Sequence, residues 1–234
     1  MHFPNLDPSL IRDLSIFRSV GANDLEAVLA VATVRQLPKG VAAFEQGAAA
    51  TEFFVLLHGR LRVMHTTSDG QQMIVRHVNP GEIFGLAKVM QRTSYPGTAS
   101  AIVDSVALAW PTCQWEKFLA QSPVLAANAL SLIGQRLQEA DARLRELATE
   151  EVERRVAHAL LRLAKQAGTR TEEGVLINFP LTRQDIAEMT GTTLHTVSRV
   201  MSRWEARGLV ASGRKRVVLR DPHQLLMLAE QLPE

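Results

Sequence analysis

The sequence predicts an α+β fold in three parts: an antiparallel β-domain, a long helix and a C-terminal winged helix-turn-helix domain. Between about Thr33 and Trp110, apolar residues follow a period of two and glycine-containing turns recur. After Pro123 the apolar period becomes 3.5 residues, which is typical of a helix that pairs with another helix. Near the C-terminus a capped helix, a glycine turn and a second helix precede a basic hairpin.

Composition limits the class of protein. The chain has 234 residues, of which 46% are hydrophobic and 21% charged, as in a globular protein with a substantial core. No apolar run approaches the roughly 20 residues of a membrane span, and residues 1–13 lack the layout of a signal peptide. The single cysteine, Cys113, excludes an internal disulfide and a four-cysteine iron–sulfur cluster within one chain. We therefore expect a cytoplasmic protein with no membrane partner.

Residues 182–208 carry the helix-turn-helix pattern. Thr182 is a candidate N-cap, and Asp185 supplies the reciprocal acceptor of a capping box. Gly191 suits the turn because glycine adopts positive φ at little cost, and Thr193 is the candidate cap of the second helix. That helix is predicted to turn five apolar residues inward: Leu194, Val197, Val200, Met201 and Trp204. Its outward face is polar and bears arginine, as in a DNA-reading helix: His195, Thr196, Ser198, Arg199 and Arg203.

Positive charge is concentrated near this motif, although the whole chain has a formal net charge of only +2. Residues 1–149 contain 13 basic and 13 acidic side chains. Residues 182–220 contain 3 acidic side chains and 8 basic ones: Arg183, Arg199, Arg203, Arg207, Arg214, Lys215, Arg216 and Arg220. A basic segment beside a neutral body favours a partner with a phosphate backbone.

The first half of the chain reads as an antiparallel β-barrel or jelly roll. Strands are predicted at Phe53–Leu57, Arg60–His65, Gln72–Val78 and Ala107–Trp110, and Asp69-Gly70 is a good hairpin turn. Short helices are expected over 8–32, with a break at Gly21, and over Pro111 to Gln121.

A long helix is predicted to open at Ser122-Pro123, with the serine as cap and the proline in the first turn. Its apolar residues follow alternating spacings of four and three, and they define what we call the seam: Ala126, Leu130, Ile133, Leu137, Ala140, Leu144 and Leu147. A seam of this length favours pairing with a second copy of the same helix, and the alternative is a helix packed on its own β-domain.

The C-terminal part is predicted to follow a hinge at residues 148–151. A helix over about Glu151 to Ala167 and a strand at Val175–Phe179 lead to the helix-turn-helix. Leu209–Ala211 and Val217–Arg220 then form a hairpin around residues 212–216. This wing places Arg214, Lys215 and Arg216 where they can reach phosphates beside a groove.

This arrangement resembles the Crp/Fnr family of bacterial transcription regulators over nearly the whole chain. The first half carries the family's glycine frame as Lys39-Gly40, Phe44-Glu45-x-Gly47, Phe53-Phe54-Val55-x-x-x-Gly59-x-Leu61-x-Val63 and Pro80-Gly81-Glu82-Ile83-Phe84-Gly85. The second half carries Leu181-Thr182-Arg183-Gln184-Asp185-Ile186-Ala187 and Thr196-Val197-Ser198-Arg199-Val200. The resemblance implies a double-stranded β-helix (jelly-roll) sensor at 1–121, a dimerisation helix at 122–148 and a winged helix-turn-helix DNA-binding domain at 149–234.

The resemblance also implies a homodimer that reads a two-fold symmetric site in double-stranded DNA, with RNA polymerase as a candidate partner. Arg199 matches the motif's arginine and is expected to contact guanine, and Ser198 matches a base-contacting serine of the Fnr branch. His195 stands where the family usually has glutamate, so we expect an altered preference at that base pair. Phosphate contacts are expected from Thr182, Arg183, Thr193, Thr196 and Lys215. The seam residues expected to carry the dimer are Leu130, Ile133, Leu137, Ala140 and Leu144.

The effector is less constrained by the sequence. The family's cyclic-nucleotide members use a glycine–glutamate pair, matched by Gly81-Glu82, and then an arginine–serine pair. That second pair falls near Tyr95–Thr98, where no arginine stands, so we expect an effector pocket of Gly81, Glu82, Tyr95 and Thr98 without the charge-assisted arginine contact. A cyclic nucleotide remains the alternative effector.

Haem is another candidate, because Leu194–Arg199 resembles the nitrogen-oxide-responsive branch of the family. Candidate iron ligands in the sensor half are His2, His58, His65, His77, Cys113 and Met90. No metal site is assigned. An enzyme of the cupin type is disfavoured because no His-x-His pair or similar cluster occurs, and a module that binds only proteins is the remaining rival.

Overall fold

The computed structural model describes residues 9–230, and side chains from Ile11 onward. Within the described chain, one compact unit comprises the residues up to Gln71 together with Val75–Glu139. The other comprises Gln72–Ile74 and the residues from Ala140 onward.

The first unit begins with two short helices and continues as a β-sandwich of two sheets. The helices are α1 (Ser9–Arg12) and α2 (Ala22–Ala30). The strands are β1 (Thr33–Leu37), β2 (Ala42–Phe44), β3 (Glu52–His58), β4 (Leu61–Thr66), β5 (Gln72–Val78), β6 (Ile83–Phe84), β7 (Thr98–Ala101) and β8 (Ser105–Pro111). They form two four-stranded sheets in the orders β1-β8-β3-β6 and β2-β7-β4-β5. The predicted jelly-roll class is therefore confirmed.

The position of strand β3 explains why its residues 53–57 are all apolar. Phe54 and Leu56 lie in the core between the two sheets, whereas Phe53 and Val55 pack under the helices on the other side of their sheet. Both faces are buried, so the strand loses the polar alternation of an exposed sheet. Trp110 of β8 joins the helical layer and donates its indole N–H to the Val28 carbonyl at 2.7 Å.

The glycine turns set the strand ends as predicted. Gly40, Gly47, Gly59, Gly70 and Gly81 all adopt positive φ. At Gly59 the constraint is also steric, because a Cβ there would lie 2.2 Å from the Ser105 hydroxyl oxygen and 2.6 Å from the Asp104 carbonyl oxygen.

Two predictions about the next segment need correction. Pro111 ends β8, and helix α3 (Gln114–Gln121) begins three residues later than expected. The long helix α4 (Pro123–Thr149) begins at the proline as predicted, but the Ser122 hydroxyl does not cap it. That oxygen is buried without a hydrogen-bond partner among the described residues.

The second unit contains helix α5 (Val152–Ala167), the helix pair α6 (Arg183–Thr190) and α7 (Leu194–Ala206), and α8 (Pro222–Glu230). Its sheet has the order β11-β12-β10-β9. These strands are β9 (Gly168–Thr171), β10 (Gly174–Ile177), β11 (Val210–Gly213) and β12 (Arg216–Leu219). Strand β9 was missed because four exposed residues carry no apolar signal, and β10 ends two residues earlier than expected.

None of the helices in residues 9–230 is long and apolar enough to cross a membrane.

Candidate nucleic-acid interface and ligand cavity

The helix pair α6–α7 is fixed by local interactions that its sequence encodes. The Thr182 side chain accepts a hydrogen bond from the Asp185 amide at 3.0 Å, and the Asp185 carboxylate accepts one from the Thr182 amide at 2.8 Å. The predicted capping box is therefore present. Gly191 adopts φ +61° in the left-handed region, and Thr193 accepts a hydrogen bond from the Thr196 amide at 3.1 Å.

Helix α7 has one buried face and one exposed face. Val197, Val200, Met201 and Trp204 are buried, as predicted. Leu194 does not join them, and 47% of it is exposed, because it is the first residue of the helix and precedes the packed turns.

The candidate base-contacting residues lie on the open face of this helix. His195 and Arg199 are exposed, and Ser198 is partly exposed. Neither His195 nor Arg199 has an ion pair among the described residues. Arg199 is therefore available to an external partner without breaking an internal contact.

The neighbouring Arg203 differs, because α5 holds it. Its guanidinium lies 2.9 Å from the Glu153 carboxylate, which also accepts the indole N–H of Trp204 at 2.8 Å. Glu153 thus anchors α7 to α5, and Arg203 contributes to that anchor.

The candidate phosphate-contacting residues fall into two groups. Thr182, Thr193 and Thr196 already take part in helix capping through their hydroxyl oxygens. The Arg183 guanidinium bridges Glu205 of α7 at 3.3 Å and the Ser212 hydroxyl of β11 at 3.1 Å. Arg183 therefore links the first helix, the second helix and the wing.

In contrast to Arg183, the basic side chains at the turn of the wing are exposed. Arg214 and Lys215 are exposed at the turn between β11 and β12. Lys215 adopts φ +59°, and its carbonyl accepts a hydrogen bond from the Leu181 amide at 3.2 Å. The tip is thus fixed to the residue before the capping box, while the Lys215 ammonium has no ion pair among the described residues.

The seam of α4 is largely uncovered in the single chain. Leu130, Leu137 and Leu144, spaced by seven residues, are 72%, 70% and 66% exposed. The α4 residues that pack into the core of the first unit are Leu125 and Ala129, with the partly buried Leu132 against the same cluster. The seam is therefore distinct from the stripe that holds α4 against the first unit. Ile133 is partly exposed and Ala140 is exposed.

The first unit contains a cavity of about 410 Å³ between its second sheet and α4. Its walls are predominantly apolar, with residues from the sandwich, from the loop that follows β6 and from α4. Phe44 stacks on Tyr95 at a ring-centroid distance of 3.9 Å and forms one side. Ile133 and Leu137 supply the α4 side, and Val89 and Met90 of the loop after β6 also line the cavity.

Two arginines, Arg76 and Arg136, are the charged residues of the cavity lining. Glu82 accepts from Arg76 at 2.8 Å and from Arg136 at 3.4 Å, and Asn79 donates to its second oxygen at 2.7 Å. The side chains of Arg76 and Arg136 are only 21% and 24% exposed. Burial, followed by the repulsion of Arg136, lowers the pKa of Arg76 to about 10, against the attraction of Glu82. Burial also lowers the pKa of Arg136, against the attraction of Glu82, and arginine side chains stay charged in proteins at neutral pH.

Of the four expected pocket residues, Tyr95 alone lines this cavity. Gly81 lies at a turn where a Cβ would meet Leu14 instead, at 3.4 Å. The Thr98 hydroxyl accepts a hydrogen bond from the Gln46 amide at 3.0 Å. Glu82 lies behind the wall and acts through its two arginines. Sequence reasoning missed Arg76 and Arg136, although an arginine inside the apolar run of β5 was a usable signal.

The candidate haem ligands do not converge on the cavity. His2 lies outside the described residues, and His58, His65, His77 and Cys113 do not line the cavity. Met90 does line it. The described residues contain no group of three or more potential metal ligands. This lining does not fit a histidine-ligated haem.

Comparison with known proteins matches both units. The cyclic nucleotide-binding domain family matches residues 34–122, and the Crp-like helix-turn-helix domain family matches residues 154–228. The chain is 29% identical over 206 residues to the cyclic AMP receptor protein of Thermus thermophilus, covering 88% of this chain and 92% of the relative. It is 26% identical over 195 residues to the transcriptional activator protein FnrA of Stutzerimonas stutzeri, covering 83% and 80%.

Solved structures of similar fold point to the same group of proteins. The structure of FixK2 from Bradyrhizobium japonicum has a TM-score of 0.74 and 26% identity, and the match covers 85% of this chain and 97% of that one. A Crp/Fnr-family transcriptional regulator from Thermus thermophilus has a TM-score of 0.69 and 25% identity, with 85% and 98% covered. Together with the order of the two domains, these matches identify the chain: it belongs to the Crp/Fnr family of transcription regulators.

Proposed function

We propose that this regulator acts as a homodimer that reads a two-fold symmetric operator through α7, under the control of a small molecule in the cavity of the first unit. The observation that supports it most directly is Arg199, which is exposed and has no ion pair among residues 9–230, on a helix whose opposite face is buried. A helix held so firmly behind a polar face suits insertion into the major groove.

Dimerisation is proposed through the seam. Three leucines, each about two-thirds exposed and seven residues apart, form an apolar ridge along α4. A second copy of α4 would cover that ridge with the same residues, as heptad spacing favours. Two reading helices related by a two-fold axis then meet half-sites about 34–36 Å apart.

The contacts with DNA divide by chemistry. Arg199 is assigned to guanine, where its two-donor edge matches O6 and N7, with Ser198 and His195 at neighbouring base edges. Thr182, Thr193, Thr196 and Lys215 are assigned to phosphates, which fix the register of the helix. Arg183 is assigned there too, and it would have to exchange or share its Glu205 contact to reach a phosphate.

Control by a ligand is proposed because two seam residues also form a cavity wall. Ile133 and Leu137 belong to both sets, so a bound molecule changes the surface that the second copy meets. If the ligand favours one packing of the seam, DNA that prefers the same packing must raise the affinity for the ligand equally.

Three further parts of the proposed function are taken from the relatives: the absence of catalysis, the partner protein and the location in the cell. Relatives are transcription regulators, which supports a role without catalysis, RNA polymerase as a candidate partner, and a cytoplasmic location beside DNA. A cyclic nucleotide is the second candidate effector, favoured by the cyclic nucleotide-binding domain match and by the name of the Thermus relative.

The test is a fluorescence-anisotropy titration of the purified dimer against an operator selected from random DNA, in rising salt. The logarithm of the binding constant should fall linearly with the logarithm of the salt concentration, at about 0.9 per phosphate neutralised. A chain that binds no DNA at any salt concentration refutes the proposed function.

A further inference from the structure

The cavity of the first unit has an unusual balance of groups. Most of its lining is apolar, including Phe44, Phe84, Val63 and Ile133. Its volume of about 410 Å³ falls within the range of small-molecule sites, about 300–1,000 Å³. A ligand that fills it must therefore present mainly apolar surface.

The charged end of the cavity carries an excess of positive charge. Arg76 and Arg136 share the single carboxylate of Glu82, and no other carboxylate of the described chain lies within ion-pair distance of either guanidinium. Glu139 acts on both at longer range from an exposed position on α4. The buried Arg60 adds a third positive charge that interacts with Glu82.

The excess has an energetic consequence. A buried charge without a full partner is destabilising, and an incoming anion removes that penalty while forming charge-assisted hydrogen bonds. Each guanidinium has five N–H donors. Arg76 uses its donors toward Glu82 and the Ile83 carbonyl, and Arg136 toward Glu82. Donors therefore remain for a ligand.

Other polar groups of the lining are already committed. The Tyr95 hydroxyl donates to the Glu52 carbonyl at 2.6 Å and accepts from the Glu52 amide at 3.1 Å. Apart from the two arginines and Tyr95, the lining side chains are apolar or absent. A ribose and a purine would lose their hydrogen bonds to water here without replacement.

We propose that this cavity binds a small monoanion with an apolar body, namely a medium-chain or aromatic carboxylic acid. Its carboxylate lies against Arg76 and Arg136, and its apolar body lies between the Phe44–Tyr95 pair and the α4 wall. This assignment names the ligand class of the sensor and rests on the proposed function only where binding is coupled to DNA.

The first experiment is isothermal titration of the full-length protein with hexanoate, octanoate and decanoate. 1-Decanol, cyclic AMP and hemin serve as comparison probes. Affinity should rise about fourfold for each methylene buried, until the cavity is full. Decanol should bind at least about tenfold more weakly than decanoate, because it lacks the charge that the arginines recognise. Equal affinities for decanol and decanoate, or binding of cyclic AMP or hemin without the carboxylates, overturn the proposal.

Variants separate recognition from folding. Arg136→Gln and Arg76→Gln should each weaken decanoate at least about tenfold and leave decanol unchanged. Glu82→Gln removes the competing carboxylate and should tighten decanoate, whereas damage to the fold would weaken it. Arg35→Gln is the matched control, since Arg35 pairs with Glu52 on the same unit outside the cavity lining and its loss should change nothing. Damage to the fold would weaken decanol as well, so weaker decanoate binding in Glu82→Gln with decanol binding unchanged refutes the assignment.

A parallel titration with DNA keeps the two proposals apart. If the protein binds its operator but no carboxylate, the ligand assignment fails and the regulator stands. If it binds decanoate but no DNA, the proposed function fails and the ligand class stands.

Discussion

Replacing Arg199 by alanine tests whether α7 reads bases. Arg199 has no ion pair among the described residues and lies on the exposed face of the helix. Its removal should therefore leave the free energy of unfolding within about 0.5 kcal/mol of the parent. A bidentate contact with guanine is worth about 1–3 kcal/mol of discrimination. The dimer carries two copies, so the loss on a symmetric operator should reach about 2–6 kcal/mol, which is about 30-fold to about 2.5 × 10⁴-fold.

The assay is a pair of anisotropy titrations at one salt concentration, with the selected operator and with a scrambled duplex. Arg199→Ala should lose affinity on the operator and nearly match the parent on the scrambled duplex. Arg203→Ala is the matched control on the same helix. Because Arg203 is engaged by Glu153 and is half exposed, it should lose little affinity on either DNA and at most about 1 kcal/mol of stability. Equal losses of Arg199→Ala on both duplexes would show that Arg199 contacts phosphate only.

Three further substitutions test the seam and the folded frame. Leu130→Glu places a charge on the exposed seam, outside the cavity lining, and should give a monomer in sedimentation velocity. The control Ser131→Glu, at the neighbouring exposed position, should stay dimeric. A dimeric Leu130→Glu would mean that the seam does not pair. Thr182→Ala removes the capping box and should cost about 0.5–2 kcal/mol in urea unfolding, and Thr182→Ser should retain most of that; equal stabilities would contradict the cap. Gly59→Ala combines a positive φ with a Cβ that would lie 2.2 Å from the Ser105 hydroxyl oxygen. It should lower the melting temperature well beyond Gly70→Ala, which has only the cost of a positive φ, about 1–2 kcal/mol. Equal melting temperatures of the two variants would contradict this packing.

The sequence predicted best what depends on neighbours along the chain. The capping box of Thr182 and Asp185, the left-handed Gly191 and the buried face of α7 each involve residues a few positions apart. Their hydrogen bonds and periodicity follow from the order of residues over one or two turns of helix. The exception, Leu194, lies at the helix end, where periodicity does not determine packing.

The ligand cavity could not be predicted in the same way. Arg136 and Glu82 are 54 positions apart and meet because α4 packs against the sandwich. Before that packing is known, Arg136 resembles one more polar residue on a solvated helix face. The family's two nucleotide-binding pairs predicted a pocket of Gly81, Glu82, Tyr95 and Thr98, whereas only Tyr95 lines the cavity and Glu82 contacts its two arginines. A motif locates a turn, but it does not determine which side chains face the space beside it.

The internal ion pairs of the basic residues show why a charge count overestimates the number of side chains available to DNA. Of the eight basic side chains in residues 182–220, Arg183, Arg203 and Arg216 form ion pairs with Glu205, Glu153 and Glu173. The other five form no ion pair within the described chain, although Arg220 acts on Glu173 at longer range: Arg199, Arg207, Arg214, Lys215 and Arg220. The paired arginines hold α6, α7, the wing and β9–β10 in place, and the unpaired ones can neutralise phosphates. Sequence alone cannot divide the set, because each carboxylate partner is 22 to 50 positions away. Under the proposed function, the basic segment would therefore both stabilise the C-terminal domain and contact DNA, and the internal ion pairs identify the residues already engaged in the first role.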